Sequence, residues 1–371
     1  MSTLELVTAE QETQQRESSV RVSTLELFFD LVFVFTITQL TAVLAAEPTW
    51  TSVVRTFMLL GVIYWMYDGY AWMTNTVAPT DPVRRGLLLA GMGGFLLIAL
   101  AIPEAFGANG WAFGVGYFVV NAIHSGLLLR ANPVAMRRLA PLNLLSATLV
   151  LAGGLAPPAL RPWIWLLALL VVGVSPYLHK ITEWSITSSH FVERHGLIVI
   201  VALGESIVAI GVGAAGLKLD GTLVGTAMLG LVLSFGLWWL YFGGDDTAAE
   251  EALDATPTDK RARKALHAFG FAHWPLLFGV AAFAAGVKKA IVYSSGHVYL
   301  EQALLLGGGV AVFLLADVWF RRILLIGTVK FRAAGAAAAL ASVVLGVRST
   351  LAQLVALALV LPAVLLLEKR R

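Results

Sequence analysis

The chain alternates between long apolar runs and short polar breaks. A helix that crosses a bilayer needs about 20 predominantly apolar residues, and twelve runs of roughly that size can be identified. They lie near residues 24–44, 52–73, 84–103, 111–130, 140–156, 160–178, 191–213, 222–243, 265–286, 302–320, 333–347 and 350–368. This pattern predicts an all-α protein, a polytopic transmembrane helix bundle of about twelve spans. The fifth and eleventh runs are short, so their boundaries are the weakest.

Two polar segments are not predicted to span the membrane. Residues 1–20 lack the basic region and the cleavage site of a signal peptide, so they are predicted to form a polar N-terminal arm ahead of an uncleaved first span. The longest polar break, residues 243–264, has few side chains that could be buried. It is predicted to be a solvated cytoplasmic connector.

The composition supports lipid as the solvent of most of the chain. Apolar residues make up 58% of the sequence and charged residues 13%, whereas a soluble domain is about 45–50% apolar and about 25% charged. So few charges are a poor match to a soluble enzyme of this size. The chain contains no cysteine, which excludes disulfides, thiolate nucleophiles and Cys-ligated metal sites.

Basic residues are distributed unevenly between the two ends of the predicted spans. Of the 26 Lys and Arg residues, 19 fall on the N-terminal arm, the even-numbered connections and the C-terminus. Because basic loops stay in the cytoplasm, both termini are predicted to be cytoplasmic. This topology accounts for the net charge of +3, so the expected partner is the lipid bilayer and no nucleic acid. The oligomeric state is left open.

The second half of the chain repeats polar landmarks of the first. Aligning Glu26 with Glu193 places Thr38 against Glu205, and the W-x-Y-x-G pattern at 65–69 recurs at 239–243. Further matches in the same order pair Gly91 with Gly270, Gly116 with Gly309 and His124 with Asp317. We therefore predict a six-plus-six parallel tandem repeat, with residues 21–180 and 181–371 as its halves. Shared apolar composition is the alternative explanation.

Ionisable side chains inside the predicted spans are the candidates for function, because a charge at the bilayer centre costs about 2.5–3.5 kcal/mol. The candidate ion or proton path consists of Glu26, Asp30, Asp68, His190, Glu193, His195, Glu205 and Asp317. No catalytic, cofactor-binding or metal-ligating residue is assigned, and no cofactor is predicted.

Glu26 and Asp30 lie four residues apart and therefore share one helix face. Two adjacent carboxylates persist if one is protonated or if a cation lies between them. One interpretation is an acidic mouth that leads along the first span to an apolar constriction. The alternative is an ion-pair network with Arg21, Arg194 or a residue of another span that only holds two helices together.

The segment 190–196, with the sequence HFVERHG, resembles a metal motif only superficially. On a helix His195 lies about 140° from His190, so the two imidazoles face different neighbours. Glu205 lies about 18 Å along the axis from Glu193, which indicates two stations on a path. Pro275 predicts a disturbed ninth span. The aromatic residues near the end of the second span are predicted to anchor the membrane interface; they are Tyr64, Trp65, Tyr67, Tyr70 and Trp72.

Two long motifs resemble the bacterial low temperature requirement A (LtrA) family. They are STLELFFDLVFVFTITQLT, residues 23–41, and HFVERHGLIVIVALGESIVAIG, residues 190–211, accompanied by AIPEAF at 101–106. The resemblance extends from about Arg21 to the C-terminus and implies a polytopic protein of the bacterial inner membrane. The family is named for a cold-growth phenotype, which does not supply a molecular activity.

The segment from Glu26 to Thr38 is also similar, more distantly, to the first-span signature of prokaryotic relatives of the endolysosomal potassium and proton-leak channel. That resemblance implies six-span units whose first span lines a hydrophobic-gated pore. Phe29 and Leu31 depart from the core of that signature.

These observations favour an integral membrane transport protein, either ion channel-like or a proton-coupled transporter of an unidentified small ion or molecule. One alternative is an intramembrane enzyme that acts on a lipid or isoprenoid-like substrate by acid catalysis. It requires a closed apolar cavity that contains Glu193 or Glu205. A second alternative is a membrane scaffold or sensor in cold adaptation, in which the carboxylates are consumed in ion pairs.

Overall fold

A computed structural model describes residues 22–76, 81–131, 133–178, 186–293 and 299–369. The secondary-structure elements in these ranges are all helical, which confirms the predicted fold class. The α-helices are α1 (Thr24–Ala46), α2 (Trp50–Thr76), α3 (Pro82–Ala101), α4 (Gly110–Ala131), α5 (Pro133–Leu155), α6 (Arg161–Leu178), α7 (Ser188–Ala214), α8 (Gly221–Phe242), α9 (Asp245–Asp254), α10 (Thr258–Ala265), α11 (His273–Val292), α12 (Leu300–Leu324), α13 (Lys330–Ala341), α14 (Val343–Gly346) and α15 (Thr350–Lys369). The predicted N-terminal arm, residues 1–20, lies outside the described residues.

The protein is a multi-pass membrane protein. Ten helical stretches within the described ranges are long and apolar enough to cross a bilayer. The second predicted run forms α2, a continuous helix of 27 residues. It is not one of these ten stretches, because its tyrosines and polar side chains make it less apolar. The eleventh predicted run is divided into α13 and α14, of 12 and 4 residues, so its weak boundary reflects a break in the helix.

The predicted solvated connector, residues 243–264, is more ordered than its composition indicates. It folds into the short helices α9 and α10, and α9 contacts α7, α8 and α12. Ala249 and Leu253 of α9 and Ala262 of α10 are buried. Small side chains at helical spacing are sufficient to seat these helices against the bundle, because close approach needs little apolar area.

The two halves of the chain have the same arrangement of helix neighbours. In the first half α1 contacts α2 and α3, and α3, α4, α5 and α6 follow one another, with α6 returning to α2. In the second half α7 contacts α8 and α11, and α11, α12, α13 and α15 follow one another, with α15 returning to α8. The helices α1 and α7 also contact each other. A six-plus-six repeat would produce this arrangement, and it stays a prediction.

Glycines allow the third and fourth helices of each half to cross closely. A Cβ at Gly116 would lie 2.8 Å from the carbonyl oxygen of Gly94, and a Cβ at Gly309 would lie 2.8 Å from that of Gly279. The partner glycines lie three and nine residues beyond those aligned from the sequence. Gly116 and Gly309 therefore have corresponding contacts, as aligned from the sequence. Their partners are Gly94 and Gly279, and not the aligned pair Gly91 and Gly270.

Substitution of Gly309 by alanine is expected to lower the thermal unfolding midpoint measured in detergent micelles. The new methyl group would also lie 2.5 Å from the backbone nitrogen of Phe283, and overpacking of this kind costs about 1–3 kcal/mol. The matched control is Gly308→Ala, because a Cβ at Gly308 meets no atom within 4 Å and alanine favours a helix over glycine. Equal midpoints for the two variants would contradict a close crossing at Gly309.

Candidate functional site

The charged ends of α1 and α7 meet inside the bundle. The Nη1 of Arg194 donates to Asp30 Oδ2 at 2.8 Å and to the carbonyl oxygen of Glu26 at 3.1 Å. Its Nε lies 3.9 Å from Glu26 Oε1. The three side chains are at most 5% exposed, so one guanidinium serves two buried carboxylates. This is the ion-pair arrangement considered as an alternative from the sequence, with Arg194 as the cation. Arg21 lies outside the described residues.

Glu26 is oriented by the start of its own helix. The Ser23 backbone N–H and hydroxyl each donate to Glu26 Oε2 at 2.8 Å, and the Glu26 N–H donates to Ser23 Oγ at 3.3 Å. This capping box satisfies backbone donors that the first turn leaves without partners. The other oxygen, Oε1, lies 3.3 Å from His190 Nε2, whose Nδ1 lies 3.2 Å from the Asn75 amide. We refer to Glu26, Asp30, Tyr67, His190 and Arg194 as the Arg194 cluster.

The interior beyond the Arg194 cluster is apolar. The Tyr67 hydroxyl lies 3.0 Å from Asp30 Oδ1, and the ring centroid of Phe33 lies 4.3 Å from that of Tyr67. Phe33, Ile37 and Leu40 are fully buried. The side of α1 that the sequence predicts as a constriction is therefore filled by close-packed side chains.

Asp68 and His195 form a second buried pair, next to the Arg194 cluster. His195 Nδ1 lies 2.8 Å from the carbonyl oxygen of Phe191, and Nε2 lies 2.9 Å from Asp68 Oδ1. A carbonyl oxygen can only accept, so Nδ1 carries a proton. The contact between Nε2 and Oδ1 needs a further proton, which resides on either the imidazole or the carboxyl group. The Asp68–His195 pair therefore holds one proton that two groups can share.

The polar arrangement continues from His195 to His273 and Tyr241. The ring centroids of His195 and His273 lie 5.9 Å apart. His273 Nδ1 lies 2.9 Å from the carbonyl oxygen of Ala268, and its Nε2 lies 2.7 Å from the Tyr241 hydroxyl. His273 can thus donate through Nδ1 and accept from Tyr241 while neutral. His273 is not one of the residues that the sequence assigns to the path, because its partner Tyr241 lies on another helix.

A π-helical segment, Leu266–Phe271, precedes α11 and shapes the surroundings of Asp68. Pro275 has no backbone N–H to continue the regular α-helical pattern, and the predicted disturbance takes this form. The Tyr64 hydroxyl donates to the carbonyl oxygen of Phe269 at 2.6 Å, which satisfies a backbone group that the π-turn exposes. A Cβ at Gly270 would lie 3.3 Å from Asp68 Oδ2, so glycine leaves room for the carboxylate.

The prediction that the tyrosines of α2 anchor the membrane interface is wrong. Tyr64, Tyr67 and Tyr70 are at most 1% exposed, and their hydroxyls reach polar groups inside the bundle. Residues three apart share one helix face. Their spacing, together with Asp68, is the sequence signal that identifies this face of α2 as an interior polar face.

Glu193 and Glu205 lie apart from both buried clusters. Glu193 lines a cavity of about 240 Å³ beside Asp246 and Glu250. Glu205 lies deeper on α7 and accepts a hydrogen bond from the Thr38 hydroxyl of α1. The hydrogen bonds and ion pairs among the described residues join neither acid to the other candidates. The structure therefore does not gather the eight predicted residues into one site.

Asp317 belongs to a separate ion-pair network, the Arg332 network. Its members are Asp245, Asp317, Arg321, Arg332 and Glu368. Arg321 binds both oxygens of Asp245 at 2.7 Å, and Arg332 contacts Asp317, Asp245 and Glu368. Three carboxylates are shared by two guanidinium groups, a geometry suited to joining α9, α12, α13 and α15.

A cavity of about 100 Å³ lies beside Asp68, between α2, α4, α5, α6 and the π-helical segment. Its polar and aromatic lining includes Trp65, Asp68, Trp72, His124, Asn143 and Ser175. Sequence reasoning did not assign His124 or Asn143 to a site, because the cavity is formed by several helices. The described residues contain no group of three or more His, Asp and Glu side chains arranged to hold a metal ion.

Comparison with known proteins identifies relatives of the chain. The family model described as "Bacterial low temperature requirement A protein (LtrA)" matches residues 21–368, and this match confirms the resemblance inferred from the two motifs. The chain is also similar to an uncharacterized protein of Rhizobium meliloti (strain 1021). The two are 29% identical over 334 residues, which cover 84% of this chain and 79% of the relative.

Proposed function

Since the chain belongs to the bacterial low temperature requirement A family, whose name carries no molecular activity, we propose from its geometry that it is a proton-coupled transporter of the bacterial inner membrane. We propose cytoplasmic termini as well, from the 19 of 26 basic residues on one side. Glu26, Asp68 and His195 lie near those ends of their helices that the proposed topology places toward the cytoplasm.

One observation carries the proposal, the buried Asp68–His195 pair with its shared proton. Both side chains are at most 5% exposed, and burial of ionisable groups in a membrane bundle is costly unless they have a role. An imidazole can both accept and donate a proton, which suits it to a proton relay. The adjacent cavity of about 100 Å³ offers a binding site in which substrate affinity can depend on whether the pair carries that proton.

Transport also requires the apolar barrier to open. Phe33 and Ile37 fill the interior along α1 between the Arg194 cluster and the contact of Thr38 with Glu205, so this conformation is closed toward the opposite side. We propose that α1 and α7, which contact each other, separate to give access to Glu205. In this scheme Glu205, with its hydrogen bond from Thr38, is a second proton-binding site beyond the apolar barrier.

The scaffold and enzyme hypotheses are each supported by fewer observations than the transporter. The scaffold hypothesis predicts that carboxylates are consumed in ion pairs, and the Arg332 network fits that description. It does not account for the shared proton of the Asp68–His195 pair beside a cavity. The enzyme hypothesis needs an apolar cavity that contains Glu193 or Glu205, whereas the cavity at Glu193 is lined by further acids.

The proposal is tested with the full-length protein in liposomes that contain a pH-sensitive dye. A small-molecule extract of bacterial cytoplasm, fractionated by charge, is added while a pH gradient is imposed. We expect at least one fraction to accelerate collapse of the gradient. If none of the fractions does so in protein that remains folded, transport is excluded and the scaffold hypothesis gains support.

In the same assay Glu205→Gln is expected to slow the accelerated collapse by about tenfold, because glutamine keeps a hydrogen bond to Thr38 but cannot carry a proton. The thermal unfolding midpoint should change little. The matched control is the exposed Glu301→Gln, which should behave as the wild type. Wild-type rates in Glu205→Gln would remove Glu205 from the path.

A further inference from the structure

The cavity beside Asp68 has the chemical character of a cation site. Its lining combines one carboxylate with two indole rings, those of Trp65 and Trp72. Indole faces attract cations through their quadrupole, and a carboxylate favours the same charge. Of the described residues that line the cavity, none is Lys or Arg, so a bound cation would meet no like charge from the lining.

In the part of the chain that the structure describes, the lining contains a buried hydrogen-bond acceptor without a partner, which favours a ligand that donates hydrogen bonds. His124 Nε2 lies 3.0 Å from the carbonyl oxygen of Gly69, so Nε2 carries the proton and Nδ1 is an acceptor. His124 is 5% exposed, and its Nδ1 has no hydrogen-bond partner among the described residues. Buried acceptors without partners are uncommon. An ammonium group has the N–H donors that His124 Nδ1 lacks, and its positive charge complements the carboxylate of Asp68.

The size of the cavity limits the ligand. A cavity of about 150 Å³ accommodates benzene, and this cavity measures about 100 Å³. It therefore suits a cation of about four to six non-hydrogen atoms. The apolar part of the lining, which includes Leu128, Met136 and Leu139, suits an alkyl group on that cation.

Accordingly, we propose that this cavity binds a compact alkylammonium ion in exchange for the proton shared by Asp68 and His195. With that proton present the pair is neutral, and without it the pair carries one negative charge. Binding of one monovalent cation therefore releases one proton to water, and no bond other than that to the proton is broken. The inference rests on the proposed transport function and specifies it as cation–proton exchange.

The groups around the pair are compatible with this exchange. Tyr64 and Tyr67 on α2 have their hydroxyls bound to Phe269 and to the Arg194 cluster. On α7, Arg194 is bound to Asp30. His273 on α11 is satisfied by Ala268 and Tyr241 without a further proton. Arg194, the sequence neighbour of His195, is thus paired with Asp30. The proton shared by Asp68 and His195 is the one that a cationic ligand can displace.

The test is isothermal titration calorimetry on the full-length protein in lipid nanodiscs. The probes are tert-butylammonium, tetramethylammonium and the neutral isostere tert-butanol, each in two buffers that differ in protonation enthalpy. We expect tert-butylammonium to bind at least tenfold more tightly than tert-butanol and to release close to one proton. Its affinity should rise up to tenfold per pH unit where the pair is protonated. Equal binding of the alcohol, or binding without proton release, would overturn the proposal.

Variants locate the binding in this cavity. Asp68→Asn should abolish both the preference for the cation and the release of the proton, and the exposed Asp254→Asn should preserve both. Trp65→Leu, which leaves the charges in place, should weaken tetramethylammonium binding several-fold. Unchanged cation binding in Asp68→Asn would overturn the site. Gradient collapse driven only by anionic or neutral fractions would overturn the site and leave transport intact, whereas cation binding without gradient collapse would do the reverse.

Discussion

Replacement of Arg194 by glutamine is expected to destabilise the protein more than any other substitution discussed for this chain. Arg194 stands between Asp30 and Glu26, and its side chain is 1% exposed. Removal of one partner from a buried ion pair costs about 3–5 kcal/mol, because the remaining charge has neither water nor a counter-ion. In this cluster Asp30 would be left without a cation, and Glu26 would keep only its contact with His190. The thermal unfolding midpoint in detergent micelles is the measurement.

Two further variants separate the loss of charge pairing from the loss of packing. The double variant Arg194→Gln with Asp30→Asn should recover part of the lost stability, since it removes the carboxylate that Arg194 no longer pairs. The exposed Arg348→Gln should leave the midpoint unchanged. If the double variant were less stable than Arg194→Gln alone, the electrostatic account of the cluster would be wrong.

Replacement of His195 by asparagine is expected to have the largest effect on transport, a loss of at least about 100-fold in proton-coupled flux. The asparagine amide can replace Nδ1 as donor to the Phe191 carbonyl oxygen, but it is too short to reach Asp68 as Nε2 does. It cannot take up the proton that the Asp68–His195 pair shares. The measurement is the rate at which an active metabolite fraction collapses the pH gradient in liposomes, taken across a range of pH values.

The pH profile distinguishes a proton carrier from a structural residue. Any flux that remains in His195→Asn should no longer depend on pH, whereas a merely weakened fold would lower the rate and keep the profile. The matched control is His267→Asn, because His267 is half-buried and its Nε2 contacts the Tyr177 hydroxyl at 3.0 Å instead of a carboxylate. A wild-type rate and profile in His195→Asn would exclude the pair from proton coupling.

The candidate site could be anticipated from the sequence only in part. Helical geometry separates His190 from His195, and in the structure the first faces Glu26 and the second faces Asp68. The pairing of Asp30 with Arg194 was one of two interpretations that the sequence left open. The roles of Tyr67, His124 and His273 were not predicted, because their partners lie on helices distant in sequence. Glu193 was grouped with residues that it does not contact.

The presence and approximate limits of most membrane helices follow from the sequence by itself, because the bilayer imposes a length and an apolar composition on every span. The sequence also identifies the ionisable residues that lie inside these helices and therefore need a partner. The tertiary structure alone decides which partner each one finds. Asp68 meets His195 across 127 residues of chain, and Thr38 meets Glu205 across 167. Periodicity states which face of a helix is polar, but the close glycine crossings and the π-helical turn determine which other helix that face meets.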